Sequence, residues 1–225
     1  MLALERASEQ VERLAHHALR GDVWDKAVTY CQQAGARAYD HAAFGDAVTA
    51  FEQALQALAH LPENNDTRGL ALELCLAMGR SLQLVGEHGR SLALLGEAEA
   101  LARVLDDRAR LGRVLATLAN ALRQMGDLDG AIAAGRQALE LAASLGDAAV
   151  QEHASHRLGQ AYHSMGDFDR AAELFRRNVE AADRGSGTLS PDLLIESQAW
   201  LARTLGVLGA FAEGRRYGEI GRAHV

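Results

Sequence analysis

Three histidines in one short segment have the residue type and spacing that most resemble a metal-binding or catalytic site. His153, His156 and His163 are separated by three and then seven residues, so they share one face of a helix. Imidazole is a common zinc ligand, but His156 and His163 would lie about 10 Å apart along the helix axis. Only His153 and His156 are spaced to chelate one ion, and no nearby cysteine or carboxylate completes a ligand set. We therefore predict no metal here, with the histidines lining a polar groove.

Other catalytic patterns were sought and are absent. The sequence has no HExxH, no GxSxG, no GxGxxG after a strand and no phosphate-binding GxxxxGK[ST] loop. Cys31 and Cys75 lack CxxC spacing and lie in apolar helical segments, so we predict two buried thiols. We predict no catalytic residue and no cofactor. A metal-dependent enzyme domain using His153 and His156 is the less favoured alternative.

Composition and charge narrow the class of protein further. The 225 residues are 48% hydrophobic and 24% charged, with only 2 prolines, and alanine and leucine dominate, which favours an all-helical chain. The net charge is −7 without a basic block, so we predict no nucleic-acid binding. No apolar run reaches the roughly 18 residues of a membrane span, and the first residues lack the order of a signal peptide. We predict a cytoplasmic protein that does not contact membranes.

A short phrase is repeated along the chain and reveals its organisation. "MGDLDGAIAAG" at 125–135 returns as "MGDFDRAAELF" at 165–175, and the turn glycines Gly86, Gly126 and Gly166 are 40 residues apart. Apolar residues at helical spacing precede and follow each glycine, so each unit is a helical hairpin. A hairpin cannot cover its own apolar stripes, and its neighbour must do so. The sequence therefore predicts stacked supersecondary units.

The predicted fold is all-α: a right-handed superhelical α-solenoid of stacked antiparallel helical hairpins. Small residues recur where two helices must approach closely, and large apolar ones where they fill the contact. The residues predicted to carry the repeat are Gly79, Gly86, Ala119, Gly126, Ala131, Gly159, Tyr162, Gly166, Ala171 and Phe175. The predicted helices span 5–20, 24–42, 45–60, 67–84, 88–104, 108–124, 128–144, 147–164, 168–184, 190–207 and 211 onward.

The segment "LGQAYHSMGDFDRAAELF" resembles the tetratricopeptide repeat in its longer, 40-residue variant. The resemblance is strong from Gly79 to Phe175 and degenerate near the start, where the turns around Gly21 and Ala43 are about half a period apart. We accordingly divide the chain into degenerate repeat-like helices at 1–60, a regular array at 61–218 and a tail at 219–225. The tail "EIGRAHV" breaks the apolar period and is predicted to be non-native.

The resemblance implies a site as well as a fold. In tetratricopeptide arrays the first helix of each hairpin lines a concave groove that binds a peptide or another protein. Transferred position by position, the groove residues are Glu73, Arg80, Gln83, Arg113, Asn120, Arg123, Gln124, His153, His156, Gln160, His163, Glu196 and Arg203. This polar, locally basic set favours an acidic or C-terminal peptide.

The resemblance suggests a wider context too. The first 60 residues resemble the repeats that follow an AAA-type ATPase module in bacterial adenylate/guanylate cyclases and LuxR-type regulators. We therefore expect a fragment of a larger signalling protein, whose ATPase or cyclase domains could be intramolecular partners. The favoured function is a non-catalytic protein-interaction scaffold or regulatory module. A small-molecule sensor using the same groove is the alternative that the sequence leaves open.

Overall fold

The computed structural model describes residues 2–183 and 190–222, with side chains at 10–182 and 190–218. All regular secondary structure in these ranges is α-helical, as predicted, and the predicted helix ends differ from those observed by at most three residues. Residues 223–225 of the predicted tail lie outside the described part. The helices are α1 (Leu2–Arg20), α2 (Trp24–Asp40), α3 (Phe44–Leu58), α4 (Asn65–Leu84), α5 (His88–Val104), α6 (Arg108–Gln124), α7 (Leu128–Leu145), α8 (Ala148–Met165), α9 (Phe168–Asp183), α10 (Pro191–Val207) and α11 (Phe211–Arg222).

The helices group into two compact units. Unit 1 ends at Asp107 and contains α1 to α5, whereas unit 2 begins at Arg108 and contains α6 to α11. In unit 2, the first helices of successive hairpins pack against each other, α6 on α8 and α8 on α10, and α7, α9 and α11 form the second helices. The predicted division at residue 60 between degenerate and regular repeats stays a prediction.

The repeated turns explain why the hairpins end where they do. Gly86, Gly126 and Gly166 have φ of +83°, +84° and +91°, a left-handed conformation that costs glycine little. The next residue then donates its N–H to a carbonyl five positions back, as Asp167 N does to Tyr162 O at 3.0 Å, which satisfies a carbonyl at the helix end. The left-handed turns therefore lie at the three glycines predicted from the 40-residue spacing.

Three other turns use a residue that is not glycine. The left-handed positions there are Asp22, Ala42 and Asp106, with φ between 52° and 57°. At the first of these, the sequence suggested the neighbouring Gly21 as the turn residue, and the structure places the left-handed conformation at Asp22 instead. Aspartate tolerates this region better than most side chains because it can bond locally.

The small residues of the repeat do make the close contacts predicted for them. A Cβ at Gly79 would lie 3.0 Å from Leu95, and one at Gly159 would lie 2.9 Å from the ring of Phe175. Ala119, Ala131 and Ala171 are fully buried. In the α4–α5 and α8–α9 hairpins, a large side chain of the second helix therefore fits against a glycine of the first. In α6–α7 the equivalent second-helix position is Gly135, which packs against Leu158 of α8 instead.

Both units have their own apolar core. In unit 2, Phe175 is the largest fully buried side chain and packs with Leu158, Leu201 and the half-buried Trp200. In unit 1, Cys31 and Cys75 are buried free thiols, as predicted. Burial raises the pKa of Cys75 to about 12, with a smaller contribution from Glu97, so this thiol stays protonated and unreactive at neutral pH.

We expect Gly159→Ala to destabilise the protein by about 1–3 kcal/mol, the usual effect of overpacking a core. Alanine normally stabilises a helix interior relative to glycine by about 0.5–1 kcal/mol, so the sign of the effect is diagnostic. The reason for the reversal is the fully buried Phe175 ring, which leaves no room for a Cβ. Urea titration followed by far-UV circular dichroism measures the difference.

Gly96→Ala is the matched control. Gly96 lies in the middle of α5, and an added Cβ would meet no atom within 4 Å. The change should therefore stabilise the chain or leave it unaltered. Equal stability of the Gly159→Ala and Gly96→Ala proteins would contradict the close contact at Phe175.

Candidate functional site

The predicted site residues of unit 2 lie on its first helices, and we call this set the first-helix face. It combines cationic, amide and imidazole side chains from three helices. Its members are Arg113, Asn120, Arg123 and Gln124 on α6, His153, His156, Gln160 and His163 on α8, and Glu196 and Arg203 on α10. The remaining predicted residues, Glu73, Arg80 and Gln83, belong to α4 of unit 1.

These side chains are less uniformly exposed than expected. Gln124, Glu196, Arg203 and Arg80 are exposed, and Arg113, Arg123, His153, His163 and Glu73 are half-buried. Four are buried: Gln83, Asn120, Gln160 and His156, the last with 0% exposure. The expectation of an open polar surface therefore needs correction at these four positions. They are buried because the adjacent helices of the array cover them.

Arg123 is a cation that the fold leaves only partly satisfied. One terminal guanidinium nitrogen donates to Asn120 Oδ1 at 2.9 Å, while Nε is buried without a hydrogen-bond partner. Among the described residues, no carboxylate lies within ion-pair distance of Arg123. Burial lowers the pKa of Arg123, and the nearby positive charge of Arg157 lowers it further. An arginine remains charged even so, so Arg123 is a partly buried positive charge that an anion would stabilise.

Amide side chains hold the arginines of this face. Asn120 accepts from Arg123, and Gln160 accepts from Arg157 at 3.1 Å. An amide oxygen orients a guanidinium group without neutralising its positive charge. Arg157 was not among the residues predicted for this face. Its position three residues before Gln160 was the available signal, because such residues share a helix face.

His156 connects α8 to α10. Its Nδ1 lies 2.9 Å from Ser197 Oγ, and its Nε2 lies 3.3 Å from Glu196 Oε2, near enough for electrostatic contact although outside hydrogen-bond geometry. The Phe175 ring packs edge-on at 5.5 Å. A carboxylate facing Nε2 favours the tautomer with the proton on that nitrogen, and Nδ1 then accepts from the Ser197 hydroxyl.

Two opposing effects set the protonation of His156. Burial is the largest cause and lowers the pKa of His156. The neighbouring Glu196 raises this pKa, whereas the positive charges of Arg157 and Arg123 lower it. The net direction is downward, so the ring is neutral at pH 7. Correspondingly, the contact with His156 is the first cause of a lowered pKa at Glu196.

His163 makes the equivalent bond two turns further along α8. Its Nδ1 lies 3.0 Å from Thr204 Oγ1, and the Thr204 hydroxyl itself donates to Trp200 O at 2.7 Å. The threonine oxygen must therefore accept, so His163 Nδ1 carries the proton. Burial, followed by the charge of Arg203, lowers the pKa of His163. The hydroxyl partners Ser197 and Thr204 were not among the predicted site residues, since each lies 41 residues beyond its histidine.

The arrangement does not provide a nucleophilic site. Ser197 and His156 are both completely buried, so the hydroxyl is closed to a substrate. His156 is bonded to α10 rather than directed at a site shared with His153. Within the described ranges, no cluster of three or more histidine, cysteine, aspartate or glutamate side chains is placed to hold a metal ion.

The predicted residues of unit 1 have different surroundings. Arg80 lies over the Tyr39 ring, with its guanidinium carbon 5.7 Å from the ring centroid. Gln83 donates to Ser91 Oγ at 3.3 Å, and Ser91 donates to Gly79 O at 2.8 Å. Gln83 therefore contributes to the packing of α4 on α5.

Charge is distributed unequally between the two units. Residues 1–107 carry 9 basic and 16 acidic side chains, whereas residues 108–225 carry 14 of each. The whole net charge of −7 thus belongs to the first segment. The first helices of unit 2 carry the six arginines at 108, 110, 113, 123, 157 and 203 against three carboxylates at 152, 192 and 196. The first helices of unit 2 therefore carry an excess of positive charge.

Surface depressions occur elsewhere in unit 1. One of about 550 Å³ lies between α1, α2 and α3 and includes His16, His41 and Asp46. Another of about 340 Å³ lies between α3, α4 and α5 and is mostly aliphatic, with Glu63 and Arg68 paired at its edge. Neither depression contains a predicted groove residue.

No helix in the described part of the chain has the length and apolar character to cross a bilayer.

Solved structures show the same architecture. BtubC (BKLC) from P. vanneervenii has a TM-score of 0.76 at 18% identity, covering 98% of this chain and 90% of its own. A putative kinesin light chain from Podosopora anserina, with nearly identical TPR-like repeats, has a TM-score of 0.65 at 20% identity, covering 88% of this chain and 94% of its own. A Rap protein complexed with Competence and Sporulation Factor has a TM-score of 0.77 at 14% identity, covering 87% of this chain and 53% of its own. At such identities the likeness shows the fold alone, and it confirms the predicted all-α solenoid of stacked hairpins.

Sequence comparison identifies the repeat itself. No curated protein matches the chain. The profile of the tetratricopeptide repeat, however, matches residues 71–144 and 118–184. The two overlapping matches span half of the chain and cover the helices from which the first-helix face is built, except α10. With its turns, small-residue contacts and helix order, the chain belongs to the tetratricopeptide repeat family.

Proposed function

We propose that this protein is a non-catalytic binding module whose first-helix face in unit 2 holds a peptide or a segment of another protein that carries acidic groups. The observation that carries the proposal is Arg123: a half-buried cation with an orphaned Nε and no carboxylate partner among the described residues. Leaving a buried charge uncompensated costs free energy. An incoming carboxylate would recover part of that cost.

The neighbouring side chains suit an extended acidic ligand. The amides of Asn120 and Gln160 fix the guanidinium groups of Arg123 and Arg157, so little side-chain entropy remains to be lost on binding. Arg203 is exposed on α10, with its guanidinium carbon 5.2 Å from the centroid of the Trp200 ring. Guanidinium groups in this setting bind carboxylates in pairs of hydrogen bonds.

The structural comparisons support a binding role in general terms. The Rap protein of similar fold is seen in complex with Competence and Sporulation Factor. Tetratricopeptide arrays are generally scaffolds rather than enzymes, which agrees with the completely buried Ser197 and His156. A place within a larger bacterial signalling protein, next to ATPase or cyclase domains, remains part of the proposal.

Replacing two arginines of this face should abolish most of the affinity. We expect the double variant Arg123→Gln and Arg203→Gln to weaken binding of acidic peptides by about 10-fold or more, since charge-assisted hydrogen bonds each contribute about 1.5–3 kcal/mol. The probe is an array of short acidic peptides with free C-termini. Each is paired with a counterpart in which Asn and Gln replace Asp and Glu. Fluorescence anisotropy of the best binder gives its Kd.

The matched control is the double variant Arg177→Gln and Arg216→Gln. Both arginines are exposed on second helices, α9 and α11, so this variant removes the same charge from a different surface. Its affinity should stay within about 2-fold of the unaltered protein, because surface charges away from a contact act weakly. Equal losses in the two variants, or no preference for acidic peptides over their amide counterparts, would refute the proposed face.

Binding should also weaken with added salt. Raising the ionic strength from about 0.1 M to about 1 M shortens the Debye length from about 10 Å to about 3 Å, so an ion-pair contribution should fall. The unaltered protein should lose affinity steeply, and the Arg123→Gln and Arg203→Gln variant should show a flatter dependence. Salt-independent affinity in the unaltered protein would indicate apolar recognition instead.

A further inference from the structure

We propose that the two imidazole–hydroxyl bonds between α8 and α10 form a pH-sensitive seam, which loosens the α10–α11 hairpin when His156 and His163 are protonated. The imidazole seam consists of His156 with Ser197 and His163 with Thr204. Its consequence for ligand binding rests on the function proposed above, since Arg203 and Glu196 reach the first-helix face from α10. The opening of the seam itself does not depend on that function.

The geometry of the seam is regular. Both bonds join residues 41 positions apart, at 2.9 Å and 3.0 Å, and the two histidines are two helical turns apart on α8. The two helices are therefore held in register over about 10 Å of their length. Ser197 and Thr204 are completely buried, so water cannot replace an imidazole as their partner without separation of the helices.

The centre of the seam contains a titratable group that solvent does not reach. His156 is the one histidine with 0% exposure among the described side chains, and it lies against the Phe175 ring of α9. Forty residues earlier, α6 has Ala116 at the equivalent position. A buried imidazole is thus a feature of the α8–α10 contact and is absent from the preceding first helix.

The charged groups that face His156 come from three helices. Glu196 on α10 favours the imidazolium, whereas Arg157 on α8 and Arg123 on α6 oppose it. Around His163, Arg203 on α10 opposes protonation, and the Phe168 and Trp200 rings enclose the imidazole at 5.1 Å each. Burial acts against the charged form at both positions. The one favourable carboxylate, Glu196, is itself half in solvent, which weakens its attraction.

The direction of the pH effect follows from linkage. The closed seam binds protons less well than free imidazole, whose ordinary pKa is about 6.5. The seam therefore contributes its full stability above that pH and loses it progressively as the pH falls. The lowered pKa of Glu196 also makes the seam less stable as the pH falls. This effect occurs only below the ordinary carboxyl pKa of 4.5, which is outside the pH range in which histidine titrates.

Amide hydrogen exchange read by mass spectrometry tests the seam without any ligand. Peptides from 190–218 are compared at about pH 7.5 and about pH 5.5, after correction for the intrinsic exchange rate, with peptides from 108–145 as an internal reference. We expect the opening constant of α10 to rise by up to about tenfold for each titrating imidazole per pH unit below about 6.5. The reference peptides should change little.

Three variants distinguish titration from simple loss of packing. His156→Gln keeps a side chain able to bond Ser197 but cannot titrate, so its acid response should be reduced to the part due to His163. Glu196→Gln removes the group that favours the imidazolium in the closed seam, so the acid response should begin at the same pH but continue to lower pH and reach a larger total change. His41→Gln, an exposed histidine of unit 1, should behave as the unaltered protein does.

Several results would overturn the seam. Unchanged protection of 190–218 between the two pH values would do so, as would a full acid response in His156→Gln. If that variant does not fold, NMR titration of the unaltered protein decides the matter, since a His156 pKa above 6.5 contradicts the proposal. Because no peptide is present in these experiments, failure of the proposed binding function would leave their outcome unaffected.

Discussion

The structure depends on close contacts in which a large side chain of one helix packs onto a residue without a Cβ in the helix beside it. At Gly159 the ring of Phe175 occupies the place of a Cβ, and at Gly79 Leu95 does the same. Neither helix of a pair could bury its apolar stripe alone, because an isolated hairpin leaves one side of each stripe in water. The small residue lets the two helices of a hairpin pack closely, and their close packing positions the apolar surface against which the next hairpin packs.

This packing has a consequence for recognition. When first helices stack on one another, part of each polar face is covered by the next helix, so polar residues there divide into two groups. Asn120, Gln160 and His156 are buried and hold neighbouring groups, whereas Arg203 and Gln124 remain exposed. The buried amides of Asn120 and Gln160 orient the half-buried guanidinium groups of Arg123 and Arg157, which would reduce the entropy lost on binding the proposed ligand. Residues that stabilise the helix packing would therefore also serve the proposed recognition in unit 2.

The fold could be predicted from the sequence because its signals are local. Gly126 and Gly166 adopt the left-handed conformation that favours glycine, so they indicate turns in the sequence. The helical periodicity between such turns predicts the helix ends to within three residues. The site could be predicted only in part. Periodicity tells which side of α8 points away from its own hairpin, but it does not tell how closely α10 covers His156. That depends on Ser197, 41 residues away, in a hairpin whose turn residue Gly209 follows Gly166 by 43 residues and not by 40.

Turn chemistry and burial also explain the remaining differences. Asp22, Ala42 and Asp106 adopt a left-handed conformation that non-glycine side chains rarely take, so residue type gives little warning of it. The same applies to protonation: nothing in the segment around His156 shows that the ring will be enclosed by Phe175 and faced by one carboxylate and two arginines. Those groups come from α6, α8, α9 and α10. The environment of a buried imidazole therefore depends on the relative position of several helices. In the proposed seam, a movement of α10 would change the protonation of His156 and the position of Arg203 together.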